Sequence, residues 1–229
     1  MAAFDSGEWL LVELPETDYT RARDLQAALV ESRKKRLIAK DIVLMLEHSP
    51  VFTLGRRGGL ENLTVSEEFL EKAGIEVIHA ERGGDITFHG PGQIVMYPIV
   101  DLRAARLGVL DFVERLEEVM IRTASDAGIA AGRDSRNRGV WVGNRKLGSI
   151  GIAIRRGISF HGLAFNVNLS LEPFDWIYPC GLRDIGVTSL KQELSSEVSM
   201  DDVRESVKRH VEAVFKVRLI PTNLSSLPC

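Results

Sequence analysis

Apolar residues follow two rhythms along the chain. Short, nearly continuous runs predict buried strands: "EWLLVELP" ending at Pro15, "DIVLMLEH", "IEVIHA" and "QIVMYPIV". "SPVFTLGRRG" reads as a strand edge and loop. "GVWVGNRKLGSIGIAI" reads as a hairpin turning at Gly143-Asn144, and "ISFHGLAFNVNL" as a further strand. The second rhythm is helical. Residues 16–38 predict a long helix with Tyr19, Ala22, Leu25, Leu29 and Leu37 on its apolar stripe; the basic run from Arg33 to Arg36 reads as a solvated face. Residues 109–127 carry the clearest helical stripe: Phe112, Leu116, Val119, Thr123 and Ala127, stopped by Gly128. Ser66 to Ala73 predicts a short helix with Ser66 as N-cap and Gly74 as stop. Two more helices are expected near 188–194 and 200–216, the latter opened by a Ser199/Asp202 variant of the capping box.

No long polar linker, repeat or low-complexity segment divides these elements. The expectation is a single domain over 1–229, of α/β (α+β) class, with hairpins and helices combined in mixed sheets. The length of 229 residues fits one large domain or two small ones. A net charge of −3 leaves no basic footprint for nucleic acid. No apolar run approaches the roughly 18 residues that cross a bilayer. The N-terminal "MAAFDSGEWL" lacks the basic and apolar regions of a signal peptide, so a cytoplasmic, reduced chain is expected. Phosphate-loop, dinucleotide, zinc and serine-hydrolase motifs are absent from the sequence, so no cofactor or metal is expected.

Two cysteines remain, Cys229 at the terminus and Cys180 in "IYPCGL". A free cysteine usually behaves as a small buried hydrophobe. A Pro-Cys-Gly turn is a poor place to bury one, so the thiol reads as presented to something. The segment from Arg82 to Gln93 is glycine-rich. Gly83, Gly84, Gly90 and Gly92 permit close backbone approach, and their N–H groups suit a carbonyl or oxyanion; a turn without ligand fits equally. His89 in that loop either donates to a substrate or satisfies neighbouring backbone. His161 beside Gly162 reads as a partly buried strand histidine with a backbone partner, or as a site residue. His48 marks a strand end; His79 and His210 suggest no chemistry. Lys146 is either a solvated strand-edge lysine or an inward cation that would favour a nearby thiolate.

These stretches together resemble the lipoyl(octanoyl) transferase family. "RGGDITFHGPGQIVMYPIVDL", "EHSPVFTLGRRG", "GVWVGNRKLGSIGI", "SFHGLAFNVNLSLEPFDWIYPCGL" and "VTSL" carry the resemblance, over roughly residues 8 to 216. It implies a fold like the catalytic domains of biotin and lipoate ligases. It implies octanoyl transfer from octanoyl-acyl carrier protein to a lysine of lipoyl domains, those of 2-oxoacid dehydrogenase complexes and of the glycine cleavage H protein. Cys180 is similar to the family's acyl-accepting cysteine and Lys146 to the lysine that lowers its pKa. Three segments resemble its substrate-binding positions: Arg82, Gly83, Gly84, Asp85, Ile86, Thr87, Phe88 and His89; Ser149, Ile150 and Gly151; Gly162, Leu163 and Ala164. Two rivals remain. An ATP-dependent lipoate–protein ligase would not need Cys180, and a non-catalytic binder of lipoyl domains or acyl carriers would keep full biological activity with Cys180→Ser.

Overall fold

The computed structural model describes residues 7–179 and 185–228. Cys180 and Cys229 lie outside the described residues.

Strand β1 (Gly7–Glu13) leads to helix α1 (Tyr19–Lys34), β2 (Asp41–Leu46) and β3 (Val51–Leu54). Then come α2 (Glu67–Ala73), β4 (Glu76–His79), β5 (Ile86–His89), β6 (Gln93–Ile99) and α3 (Val109–Asp126). The second half holds β7 (Gly132–Asp134), β8 (Asn137–Val142), β9 (Arg145–Arg155), β10 (Ile158–Asn166), β11 (Gly186–Val187), α4 (Leu190–Leu194), α5 (Met200–Phe215) and β12 (Val217–Pro221).

Among the described residues the strands form two mixed sheets. The larger runs β12-β1-β2-β6-β10-β9-β8-β7, with β11 added against β9; the smaller runs β4-β3-β5. β1 pairs in parallel with both β2 and β12, whereas β2, β6, β10, β9 and β8 succeed one another antiparallel. One core lies under α3 and α5, where Phe112, Leu116, Val119 and Met120 meet Val207, Val211 and Phe215. Fully burying such side chains contributes about 1.5–3 kcal/mol each. A second core lies under α1, and a third joins the small sheet to Phe174 and Ile177.

The helix expected over 16–38 is shorter at both ends. Asp18 caps it by accepting from Arg21 N at 2.9 Å, and the chain leaves the helix through a left-handed Arg36 (φ 59). Leu37 is therefore off the stripe and 60% exposed, while Ile38 is buried. Arg33 is no solvated face: its guanidinium holds Ile38 O and the Asp41 carboxylate. "SPVFTLGRRG" contains β3, the buried middle strand of the small sheet rather than an edge. The glycine-rich segment hides β5, so His89 sits in a strand and not a loop. β12 continues directly from α5 through left-handed Lys216 (φ 58), where the sequence showed no strand.

Two irregularities in the large sheet decide where side chains point. Val140 pairs with Gly148 but Trp141 pairs with Lys146, so Leu147 is an extra residue, a β-bulge in β9. Leu147 and Gly148 then both face the α3 core, and Lys146 turns to the opposite face with Ser149 and Gly151. The second irregularity lies in β10. Pro98 in β6 has no N–H to give, and the β6–β10 ladder stops at Met96↔Leu163. Beyond it His161 takes φ 54, which swings its ring beside Phe160 and Tyr97.

Candidate active site

A narrow slot opens where β5 of the small sheet faces β9 and β10. The three glycine-bearing segments singled out in the sequence converge on it: Arg82, Gly84, Asp85, Ile86, Thr87 and His89; Ser149, Ile150 and Gly151; Gly162, Leu163 and Ala164. In register, Gly151 lies opposite Gly162 and Ser149 opposite Ala164, so small residues form one continuous wall. Gly162 is obligatory: a Cβ there would lie 2.0 Å from Met96 O. Two expected residues face elsewhere. The Phe88 ring packs with Phe52 and Phe174 in the small-sheet core. Gly83 lines the outer groove, and its N–H donates to Ile152 O at 2.9 Å, so it holds no oxyanion; the Gly92 N–H is likewise taken, by Glu47.

Lys146 stands at one end of the slot, 3% exposed, with Nζ 5.2 Å from the centre of the Trp141 ring. Its stem runs past Gly139 (φ 126), where a Cβ would sit 2.9 Å from Lys146 Cε and 2.3 Å from Gly148 O. The reading of a solvated strand-edge lysine is thereby excluded. The chain after the Cys180 segment lies against the same residue. Gly186 and Val187 pair in parallel with Arg145 and Lys146, and Thr188 N donates to Lys146 O at 3.0 Å. Before it, Tyr178 N donates to Asn62 O, and Pro179 shares a cleft with Ile185 and Val187.

The other end is aromatic and polar. His48 Nδ1–H donates to Thr17 O at 2.7 Å, which leaves Nε2 to accept from the Tyr97 hydroxyl at 2.7 Å. Burial holds His48 neutral and pushes its pKa down to about 4. His89 Nδ1–H donates to Gln93 Oε1 at 2.7 Å; Gln93 donates on to Asn166, and Asn166 to Thr188 O. This chain ties the slot floor to the strand beside Lys146. Arg82, 8% exposed, donates from Nη2 to Thr53 O at 2.6 Å and to Thr53 Oγ1 at 2.7 Å. Burial first, then the neighbouring His48 and Arg82, holds His89 well below the usual histidine range. The His161 ring lacks a hydrogen-bond partner among the described residues; its backbone N–H donates to Gln26 Oε1 at 2.7 Å.

Tyr19, Tyr97 and Asn137 also line the slot, and nothing in the sequence marked them. Tyr19 and Tyr97 sit at apolar positions of a helix stripe and a strand run, so their pattern signals core. Asn137 opens β8 with no motif around it.

The whole arrangement belongs to a known structural class. The fold matches a bipartite lipoate protein ligase from Thermoplasma acidophilum, at TM-score 0.75 and 18% identity, covering 96% of this chain and 88% of that one. It also matches the biotin protein ligase of Aquifex aeolicus in complex with biotin and ATP, at TM-score 0.56 and 13% identity, over 93% and 71%. Residues 18–212 match the lipoyl protein ligase A/B catalytic domain. Two sequence relatives narrow the class. The chain is 46% identical to the octanoyltransferase of Desulfotalea psychrophila over 219 residues, 95% of this chain and 98% of that one. It is 47% identical to that of Caldicellulosiruptor bescii over 204 residues, 88% and 89%. The chain belongs to the octanoyltransferase family, acyltransferases of protein lipoylation.

Proposed function

We propose that this enzyme moves an octanoyl group from an acyl carrier protein to the lysine of a lipoyl domain, through a thioester on Cys180. The observation that carries the reading is the placement of Lys146. Lys146 is buried, and the β9 bulge turns it onto the slot face. The strand following the Cys180 segment is hydrogen-bonded alongside it.

The chemistry follows from a Lys146 ammonium near a Cys180 thiolate. The thiolate attacks the octanoyl thioester carbonyl. The carbon–sulfur bond to the carrier breaks, and the departing thiolate takes a proton from Lys146. The acceptor lysine, having lost one proton to solvent, attacks the Cys180 thioester as a free amine. Its surplus proton passes to the neutral Lys146, and Cys180 leaves as thiolate. Both catalytic groups return to their starting states. Thioester exchange is nearly balanced and amide formation runs downhill, so no nucleotide is consumed.

The slot adjoins an outer groove lined by Arg57, Arg133, Arg136 and Arg138 and by Asp85 and Asp134. Arg133 and Arg138 pair with Glu117 and Arg136 with Asp134, so the groove presents a mixed polar face beside the slot. The test is reconstitution without nucleotide: purified enzyme, octanoyl-acyl carrier protein and a lipoyl domain should yield octanoylated domain. Transfer that occurs only with free octanoate and ATP would instead assign the chain to the ligase chemistry of its structural neighbours.

A further inference from the structure

Three buried polar atoms in one ring cluster have no hydrogen-bond partner among the described residues: Tyr19 Oη and both ring nitrogens of His161. Tyr19 is 2% exposed and His161 2%, and both line the slot. They belong to one chain of ring contacts, Tyr19 to His48 at 5.2 Å, His48 to Tyr97 at 5.8 Å, and Tyr97 to His161 at 6.0 Å. A neighbouring amide, Gln26 Nε2, is also unpartnered, while Gln26 Oε1 accepts from His161 N. Tyr19 and Gln26 are seven residues apart on α1, hence on one face above the β10 kink.

This cluster lies at the end of the slot away from Lys146. His161 pairs with Ile152, six positions along β9 from Lys146. At about 3.3 Å per residue that is roughly 20 Å, less the shortening of one bulge. An extended eight-carbon chain with bonds of about 1.5 Å spans roughly 10 Å. Starting from the Lys146 end and allowing for the reach of the reacting side chains, its methyl terminus arrives short of the cluster.

Resting on the acyl-transfer reading above, we propose that Tyr19 and His161 form a polar stop that sets the longest acyl chain the slot accepts. Ser149, Gly162 and Ala164 present small residues to the slot, while Gly151 packs against Gly83 O and the Arg82 side chain. A longer chain must press its end against hydroxyl and imidazole atoms, displace whatever hydrates them and return no hydrogen bond. The left-handed backbone at His161, forced where Pro98 breaks the ladder, is what aims the imidazole into the slot.

The test is donor selectivity with octanoyl, decanoyl and dodecanoyl carrier-protein thioesters. Tyr19→Phe deletes only the hydroxyl. His161→Asn removes the ring and keeps a residue that tolerates left-handed backbone. In each variant the dodecanoyl-to-octanoyl ratio of kcat/KM should rise about tenfold over wild type, whatever happens to the octanoyl rate itself. A thermal-unfolding midpoint confirms that each variant is folded; a residue with a purely structural role would move that midpoint and leave the ratio alone. Ratios within twofold of wild type in both variants, or a shift toward shorter chains, overturn the stop. Wild-type enzyme that transfers no octanoyl group at all would instead overturn the acyl-transfer reading, and the stop with it.

Discussion

At the residue scale the proposed chemistry turns on Lys146 and what surrounds it. Lys146→Met keeps much of the stem's bulk and removes both charge and base. Its transfer rate at neutral pH should fall at least about a hundredfold, with the fold retained, as circular dichroism would check. Lys146→Arg keeps the charge, but a guanidinium with pKa above ~12 does not accept a proton. Single-turnover measurements should show that it loads acyl group from the carrier and stalls before the acceptor, so that acyl-enzyme accumulates. Wild-type rates in both half-reactions for Lys146→Met would remove Lys146 from the mechanism. Gly139→Ala tests its seat: a Cβ 2.3 Å from Gly148 O and 2.9 Å from Lys146 Cε cannot fit without moving β8 or the lysine. Chemical denaturation should show a loss of about 1–3 kcal/mol, and activity should fall with it.

At the scale of elements, α3 and α5 are joined by more than their apolar stripes. Asp126, the last residue of α3, receives Ser206 Oγ, Arg209 and His210 from α5. The Ser206 hydroxyl first, then His210 and Arg209, hold its carboxyl down at about 2. Asp126→Asn should lower the unfolding midpoint by a few degrees while leaving octanoyl transfer unchanged. Much of this layer was legible from pattern alone. The 109–127 stripe matches α3, the Gly143-Asn144 turn joins β8 to β9, and Ser66 and Ser199 cap the helices expected of them. What pattern missed has physical causes. β5 lies inside a glycine-rich stretch whose composition reads as turn, and β12 follows α5 with no punctuating loop. The bulge at Leu147 leaves no trace in sequence, because it exists only as a pairing between two strands. The three glycine segments that line the slot were legible through their motifs; Tyr19 and Tyr97 were not, since each occupies a position that any large core residue would fill.

At the scale of the whole molecule, three buried neutral histidines make stability depend on pH. His48 is pushed down to about 4 and His161 to about 3, and His89 is also lowered, with burial the leading cause in each. Unfolded, each would bind a proton near pH ~6.5. The unfolded chain therefore holds more protons below that pH, and stability falls as pH drops from about 6.5 toward 4. Calorimetry should show the midpoint falling by roughly 5 °C or more between pH 7 and pH 5; a flat profile would mean the histidines are protonated in the fold. Among the described residues no helix is long and apolar enough to cross a membrane, and in the proposed reaction two protein partners reach one slot in turn. The central claim is that they do so through a single thiol. Intact-mass analysis after incubation with octanoyl-acyl carrier protein alone tests it most directly. The predicted result is one added octanoyl group, mapped to Cys180, released by hydroxylamine and absent in Cys180→Ser. An enzyme that stays unmodified while still octanoylating a lipoyl domain would contradict it.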